Sequence, residues 1–177
     1  MAVQKEADLK SETIEKLAGE LCVAARTAPK TRGVDLIEVA VVTGEDIKKL
    51  SAKMSDIFKR EGRASFGRNA EEMELTSAVV VIGSRKKTSQ LKPCSFCGFK
   101  DCEENEAKGG TCAFNSIDLG IALGSAISAA SDKRVDNRLM WTIGIAALEL
   151  GMFGSDVKLA IGVPLSATGK NIYFDRK

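Results

Sequence analysis

The chain has 177 residues, 44% apolar and 28% charged, with a formal net charge of +2 from 26 basic and 24 acidic side chains. That length fits one domain with a core of its own, and the near balance of charge leaves no basic excess to drive nucleic-acid binding. Aromatic residues are only 5% and histidine is absent, so packing falls to Ala, Val, Leu and Ile, and any transition-metal site must lean on sulfur or carboxylate.

The first eight residues, Met1 to Asp8, hold no apolar stretch and do not read as a signal peptide. No unbroken apolar run of about 18 residues occurs, so no membrane span is expected. Residues 12–28 read as a helix, with Ile14, Leu17, Leu21, Ala24, Ala25 and Ala28 at spacings of three and four. Ser11 is its candidate N-cap, and Pro29 ends it by disfavouring the α region at Ala28. Cys22 lies inside this pattern as a small core hydrophobe. Residues 30–35 form a loop, and Leu36 to Val42 is an apolar, β-branched run that suits a well-buried strand.

Thr43 and Asp46 have capping-box spacing before a helix carrying Ile47, Leu50, Met54, Ile57 and Phe58, which fades by Gly62. Residues 63–68 read as an irregular connection and 69–75 as a short helix. A second buried strand covers 78–83. Residues 113–131 form a helix with Ile117, Leu119, Ile121, Leu123 and Ile127 nearly all round it, while Gly120, Gly124, Ser125 and Ser128 thin one side. Such a helix is buried either wholly inside its own domain or against a second subunit. Asp136 and Asn137 are candidate caps for a helix bearing Leu139, Met140, Ile143, Ala147 and Leu150, with Gly151 as its stop. A third strand covers 157–163 and closes at Pro164, and 165–177 is a polar tail.

Between the second strand and the apolar helix lie four of the five cysteines: Cys94, Cys97, Cys102 and Cys112, spaced C-x2-C-x4-C-x9-C. Four thiolates this close can enclose one metal centre. One turn presents Cys94 and Cys97 together, Gly98 lets the backbone fold near sulfur, and Phe96, Phe99 and Phe114 are candidates for a dry wall. The spacing departs from paired C-x2-C zinc ribbons and points to a single [4Fe-4S] cluster. Structural zinc and metal-free thiols remain the alternatives. Asp101, Glu103, Glu104 and Glu106 lie among the ligands, and negative charge there lowers a reduction potential. Clustered thiols without an export signal suit the reducing cytoplasm.

Residues 94–102, Cys-Ser-Phe-Cys-Gly-Phe-Lys-Asp-Cys, resemble the CxxCGxxxC segment of small [4Fe-4S] domains such as that of corrinoid iron–sulfur proteins. The flanks resemble nitroreductase-like flavoproteins: Leu21 to Pro29 with the strand and helix after it, and Ile143 to Gly151 followed by Ile161-Gly-Val-Pro164. Together with Arg26 to Asp35, Asp136-Asn-Arg138 and Pro164 to Asn171, these segments resemble a family of ferredoxin-domain-containing proteins. The resemblance implies a single α+β nitroreductase-like domain over 1–177, with a mixed central sheet packed by helices and a cluster-binding insertion at 94–112. It also implies a homodimer.

Residues 1–10 lack the Arg-Ser segment with which those flavoproteins help hold the flavin phosphate, and Pro29 is followed by Lys30, Thr31 and Arg32 instead of Ser and Asn. Arg26, Lys30, Arg32 and Lys170, with Gly169 allowing close approach, are either solvated surface charges or the candidates for an anion pocket that would take FMN. The expected role is electron transfer through the cluster to an unidentified redox partner. The alternatives are an FMN-dependent oxidoreductase fed by the cluster and a zinc-stapled interaction module.

Overall fold

The computed structural model describes residues 3–174. In chain order its elements are α1 (Glu6–Thr27), β1 (Ile37–Thr43), α2 (Glu45–Glu61), α3 (Ala64–Glu72), β2 (Ala78–Arg85), α4 (Cys102–Ala107), α5 (Ala113–Asp132), β3 (Asp136–Asn137), α6 (Trp141–Glu149) and β4 (Val157–Ser166). Short 3-10 turns stand at Thr31–Gly33 and Met73–Leu75.

The strand β2 decides the architecture. Its side chains alternate across the sheet, and both sides are apolar. Ala78, Val80 and Ile82 pack with α1 and α5, whereas Val79 and Val81 pack with α2, α3 and α6. A strand covered on both faces reads as a continuous apolar run, which is why residues 78–83 were legible as buried. The sheet order is β1-β2-β4-β3, and among the described residues every pairing is antiparallel, where a mixed sheet was expected. The result is three layers, with helices on both sides of the sheet.

Close approach fixes the α6 layer. A Cβ on Gly144 would lie 1.8 Å from the carbonyl oxygen of Ala160 in β4, so only glycine lets this helix sit so near the strand. On the other side, α5 packs along α1, and Ser125 Oγ donates to the carbonyl of Ala24 at 2.8 Å. Leu119, Ala122, Leu123, Ala126 and Ala130 face the core. The other side of α5 is open: Ile117 and Ile121 are 41% and 39% exposed, in line with exposed Gly120, Gly124 and Ser128. Burial all round within one domain is thereby corrected, because the sheet and α1 cover only one side. By length and mean hydropathy (1.3), α5 is also the one helix among the described residues apolar enough to cross a membrane, but it carries buried Asn115 and Asp118 that bind neighbouring loops.

Several local expectations shift. α1 begins at Glu6 after Lys5, and Ser11 lies within it, directed at Glu15. The N-cap of α2 is Gly44, with no capping side chain, while Asp46 pairs with Lys49 at 2.7 Å. The stretch expected to be irregular at 63–68 is mostly α3. Asp136 and Asn137 cap nothing; they pair with Ser166 and Leu165 as β3. Pro164 does not close β4, which runs on to Ser166. Backbone direction alternates along a strand, and Gly162 exchanges both hydrogen bonds with Met140, so the Pro164 nitrogen also faces the β3 side. It falls there one residue past the end of β3, where no donor is required.

The tail is anchored where it is described, and its last three residues lie outside the described range. Tyr173 is fully buried in the second core, with its hydroxyl 3.1 Å from Thr76 Oγ1. Burial pushes its pKa up to about 12, against the opposing hydrogen bonds of Thr76 and Ser166. Arg138 donates to the Tyr173 carbonyl at 2.6 Å and stacks over Phe174.

Candidate metal centre

The chain leaves β2 at Arg85, at the end of the sheet where β1 begins, and passes directly into the cysteine segment. Polar ties hold that passage. Asn115 on α5 accepts from the Lys87 N–H and donates to the Lys87 carbonyl at 3.0 Å. Lys86 Nζ reaches the Gly109 carbonyl at 2.6 Å, and Thr88 and Gln90 both donate toward Glu106. Gly98 has φ +81, a left-handed turn that glycine adopts without strain, directly after Cys97. Asp101 then caps α4 by accepting from the Glu104 N–H at 2.9 Å, and Glu104 in turn accepts from the Lys100 N–H at 2.7 Å. Cys102 is the first residue of α4, and Cys112 is the N-cap residue of α5.

These turns bring all four predicted thiols to one place. Cys94, Cys97, Cys102 and Cys112 line a single narrow cavity with Thr88, Ser89, Leu91, Phe96, Asp101, Asn105 and Phe114. The Phe96 and Phe114 rings stack at 5.6 Å and form one wall, with Phe96 73% exposed. Phe99 is not part of that wall; it lies against Gly110. Among the described residues, no three Cys, Asp or Glu side chains stand close enough together to hold one metal ion. A tetrahedral zinc with Zn–S of about 2.3 Å would need its sulfurs drawn much nearer one another than a cluster, which takes each thiolate on a separate iron. Four thiolates and no imidazole are a donor set that fits such a cluster and that tetrahedral zinc also takes.

Sequence reasoning missed Ser89 and the contacts that place it. Ser89 Oγ lies 3.4 Å from Cys112 Sγ, and its carbonyl accepts from Arg32 Nη1 at 2.8 Å. Arg32 itself has φ +57, in a turn fastened by Asp118 of α5, whose carboxylate accepts from the Thr31 N–H at 3.1 Å and the Thr31 hydroxyl at 2.8 Å. Only the position of Ser89 on the approach to the cysteines hinted at this.

The candidate anion pocket does not form within one chain. Arg26 binds Asp35 at 2.6 Å and the Ile37 carbonyl at 2.7 Å, and Lys30 donates to the Ala25 carbonyl at 3.1 Å. Burial opposes ionisation of Asp35, but the Arg26 hydrogen bond and charge outweigh it and hold the carboxyl below its ordinary value. Arg26, Lys30 and Arg32 thus gather at the cysteine end of the sheet. Gly169 follows β4 at the opposite end and lines a shallow cavity with Glu6, Lys10, Arg134, Asp136 and Thr168. Lys170 is next to it in sequence. Six ladder positions, from Ser84 to Ala78, separate the two ends, or about 20 Å at ~3.3 Å per residue. Cys22 is half-buried against the first core, away from the other four cysteines, and burial pushes its thiol pKa up.

Residues 108–176 match a family described as "Uncharacterized protein containing a ferredoxin domain", a span that includes Cys112 but starts after the other three. A protein of Archaeoglobus fulgidus is 42% identical over 179 residues, covering 97% of this chain and 96% of its own. Among solved structures, a nitroreductase family protein from Clostridium novyi superposes with TM-score 0.58 at 12% identity, covering 97% of this chain and 80% of the other. A nitroreductase with bound FMN from Desulfitobacterium hafniense gives TM-score 0.54 at 16% identity, covering 88% and 79%. Nitroreductase A from Vibrio parahaemolyticus gives TM-score 0.57 at 11% identity; it is covered over 59% of its length by 89% of this chain. The chain therefore has the nitroreductase fold, and it spans less than two thirds of some of the proteins that share it.

Proposed function

Because the chain belongs to the family of proteins described as containing a ferredoxin domain, we propose that it is an iron–sulfur redox protein that binds one [4Fe-4S] cluster through Cys94, Cys97, Cys102 and Cys112. The observation that carries this reading is that all four thiols line one cavity. When bound, the cluster supplies one-electron chemistry. The chain's own residues do the rest. The caps of α4 and α5 aim Cys102 and Cys112 inward, and the Phe96–Phe114 pair shields the sulfurs while leaving an aromatic edge at the surface. The reading places the protein where thiols stay reduced, as in the cytoplasm. The exposed strip of α5 at Ile117, Gly120, Ile121 and Gly124 is the surface on which a second copy packs, giving a homodimer.

Protein purified without oxygen should be brown and carry about four iron and four sulfide per chain, as the cluster type requires. Cys97→Ser should abolish that content, whereas Cys22→Ala should leave it whole. Stoichiometric zinc without iron would sink the reading in favour of a zinc-stapled module. Light scattering should give about twice 18.9 kDa.

A second reading adds FMN, favoured by the fold shared with a structure that holds it. Arg26, Lys30 and Arg32 offer cations beside the cysteines, but Gly169 and Lys170 join them only if a second chain brings its own sheet end across. Titration of the cluster-loaded dimer with FMN should quench flavin fluorescence saturably, and Arg32→Ala with Lys170→Ala should weaken binding most at low salt, the gap to the wild type narrowing as salt rises and screens the contacts. No quenching at high micromolar FMN leaves an iron–sulfur electron carrier.

A further inference from the structure

Three side chains from separate parts of the chain are linked by contacts that end at Cys112, and the four-cysteine reading does not account for them. Ser89 Oγ stands 3.4 Å from Cys112 Sγ, within the longer reach of a hydrogen bond to sulfur. A thiolate bound to iron has no proton to give, so in the loaded protein the Ser89 hydroxyl is the donor. A hydroxyl on a loop usually turns freely toward water. This one is held, because Arg32 Nη1 grips the Ser89 carbonyl at 2.8 Å. The backbone of Arg32 is in turn fixed in a left-handed turn beside Thr31, which Asp118 binds through both N–H and hydroxyl. Asp118 is 5% exposed and sits on α5, the helix that begins at Cys112. The chain of contacts therefore closes on itself: α5 to Thr31, Arg32 to Ser89, and Ser89 back to the cysteine that starts α5.

We propose that Ser89 is a potential-setting residue of the cluster, donating to the Cys112 sulfur, and that Arg32 is the positioning residue that holds it there. The inference rests on the four-cysteine reading. A hydrogen bond to a ligand sulfur stabilises the more negative, reduced state and so raises the reduction potential. Among the described residues no other side chain donates to any of the four sulfurs, so the effect should be readable in a single substitution.

The test is the midpoint potential of the anaerobically loaded protein, followed by electron paramagnetic resonance, with iron and sulfide counted in every sample. Ser89→Thr and Ser89→Val are nearly the same shape and differ in the hydroxyl. The Thr variant should match the wild type. The Val variant should shift to a more negative potential by about tenfold in the reduction equilibrium, about 59 mV for one electron, with iron and sulfide unchanged. Arg32→Ala should shift the potential in the same direction in the wild type but add little in the Ser89→Val background. Equal potentials for the Thr and Val variants would overturn the assignment of Ser89. An undiminished Arg32→Ala shift in the Val background would overturn the positioning role and leave Arg32 acting by charge alone. Absence of iron from the wild type would instead sink the cluster reading, so the two failures are distinct.

Discussion

The three-layer body and the cysteine segment at 86–112 are held by different forces. In the body, β2 has seven consecutive buried positions, and two apolar clusters lie on its two sides. Between residues 86 and 111, by contrast, the only buried side chains are Thr88 and Asn105, and both are polar. The segment contributes nothing to either apolar cluster and contains one helix, of six residues. Its order comes from caps, side-chain ties to Asn115 and Glu106, and the four thiols. The body is thus built to fold by burying hydrocarbon, whereas the segment is held by polar ties and, on the proposed reading, would be finished by the cluster its sulfurs bind.

Substitutions should separate the two. Ile82→Ala, in the middle of β2 with no exposed surface, should cost about 2–5 kcal/mol in urea unfolding, the usual range for emptying a core position. It should do so equally with and without iron. Asp118→Ala sits at the join. It leaves the Thr31 N–H without its acceptor, so it should cost about 1–3 kcal/mol and, unlike Ile82→Ala, should also loosen the turn at Arg32. Cys97→Ala should leave the melting of the body unmoved but open the segment, so that trypsin cuts after Lys100 or Lys108 about tenfold faster than in the loaded wild type, the kinetic face of losing a ligand-linked stabilisation. Equal cutting of loaded and iron-free protein would erase the distinction between the two regions.

The smallest effect concerns the tail. The folded-state pKa of Tyr173 is raised by burial from 10 to about 12, so its contribution is full below pH 10 and is lost as pH climbs through 12. Tyr173→Phe should cost about 1 kcal/mol at neutral pH through the lost bond to Thr76 and should flatten this alkaline fall, measured as urea midpoint against pH.

The contrast also explains what the amino-acid order made legible. Val79 to Ile82 announced a strand buried on both faces, and the cysteine spacing announced the thiol site, because both are local patterns of one residue type. The start of α2 differs from the Thr43–Asp46 capping box because Gly44, with φ +55, takes the cap position, where no side chain makes a capping bond. Helix α4 was missed although Asp101 and the acidic residues after it are a cap signal, because six residues leave no room for a periodic apolar face. Ser89, Arg32 and Asp118 meet from distant parts of the chain, and nothing local marks such a meeting. The basic residues failed to converge within one chain for the same reason: which sheet end each occupies depends on the antiparallel order of the strands.

Pro164 has an effect beyond its own position. Asp136 and Asn137 zip onto β4 below it, and Met140 bridges to Gly162 above it. Between them stands Arg138, facing a nitrogen that carries no hydrogen. The proline therefore works as a missing rung: the outer strand is split into two short stitches, and the residue at the gap is released from the ladder. From this gap the Arg138 guanidinium reaches the carbonyl of Tyr173 and covers the ring of Phe174. Restoring the rung with Pro164→Val would give the backbone of Arg138 a partner in the sheet and join the two stitches into one continuous outer strand.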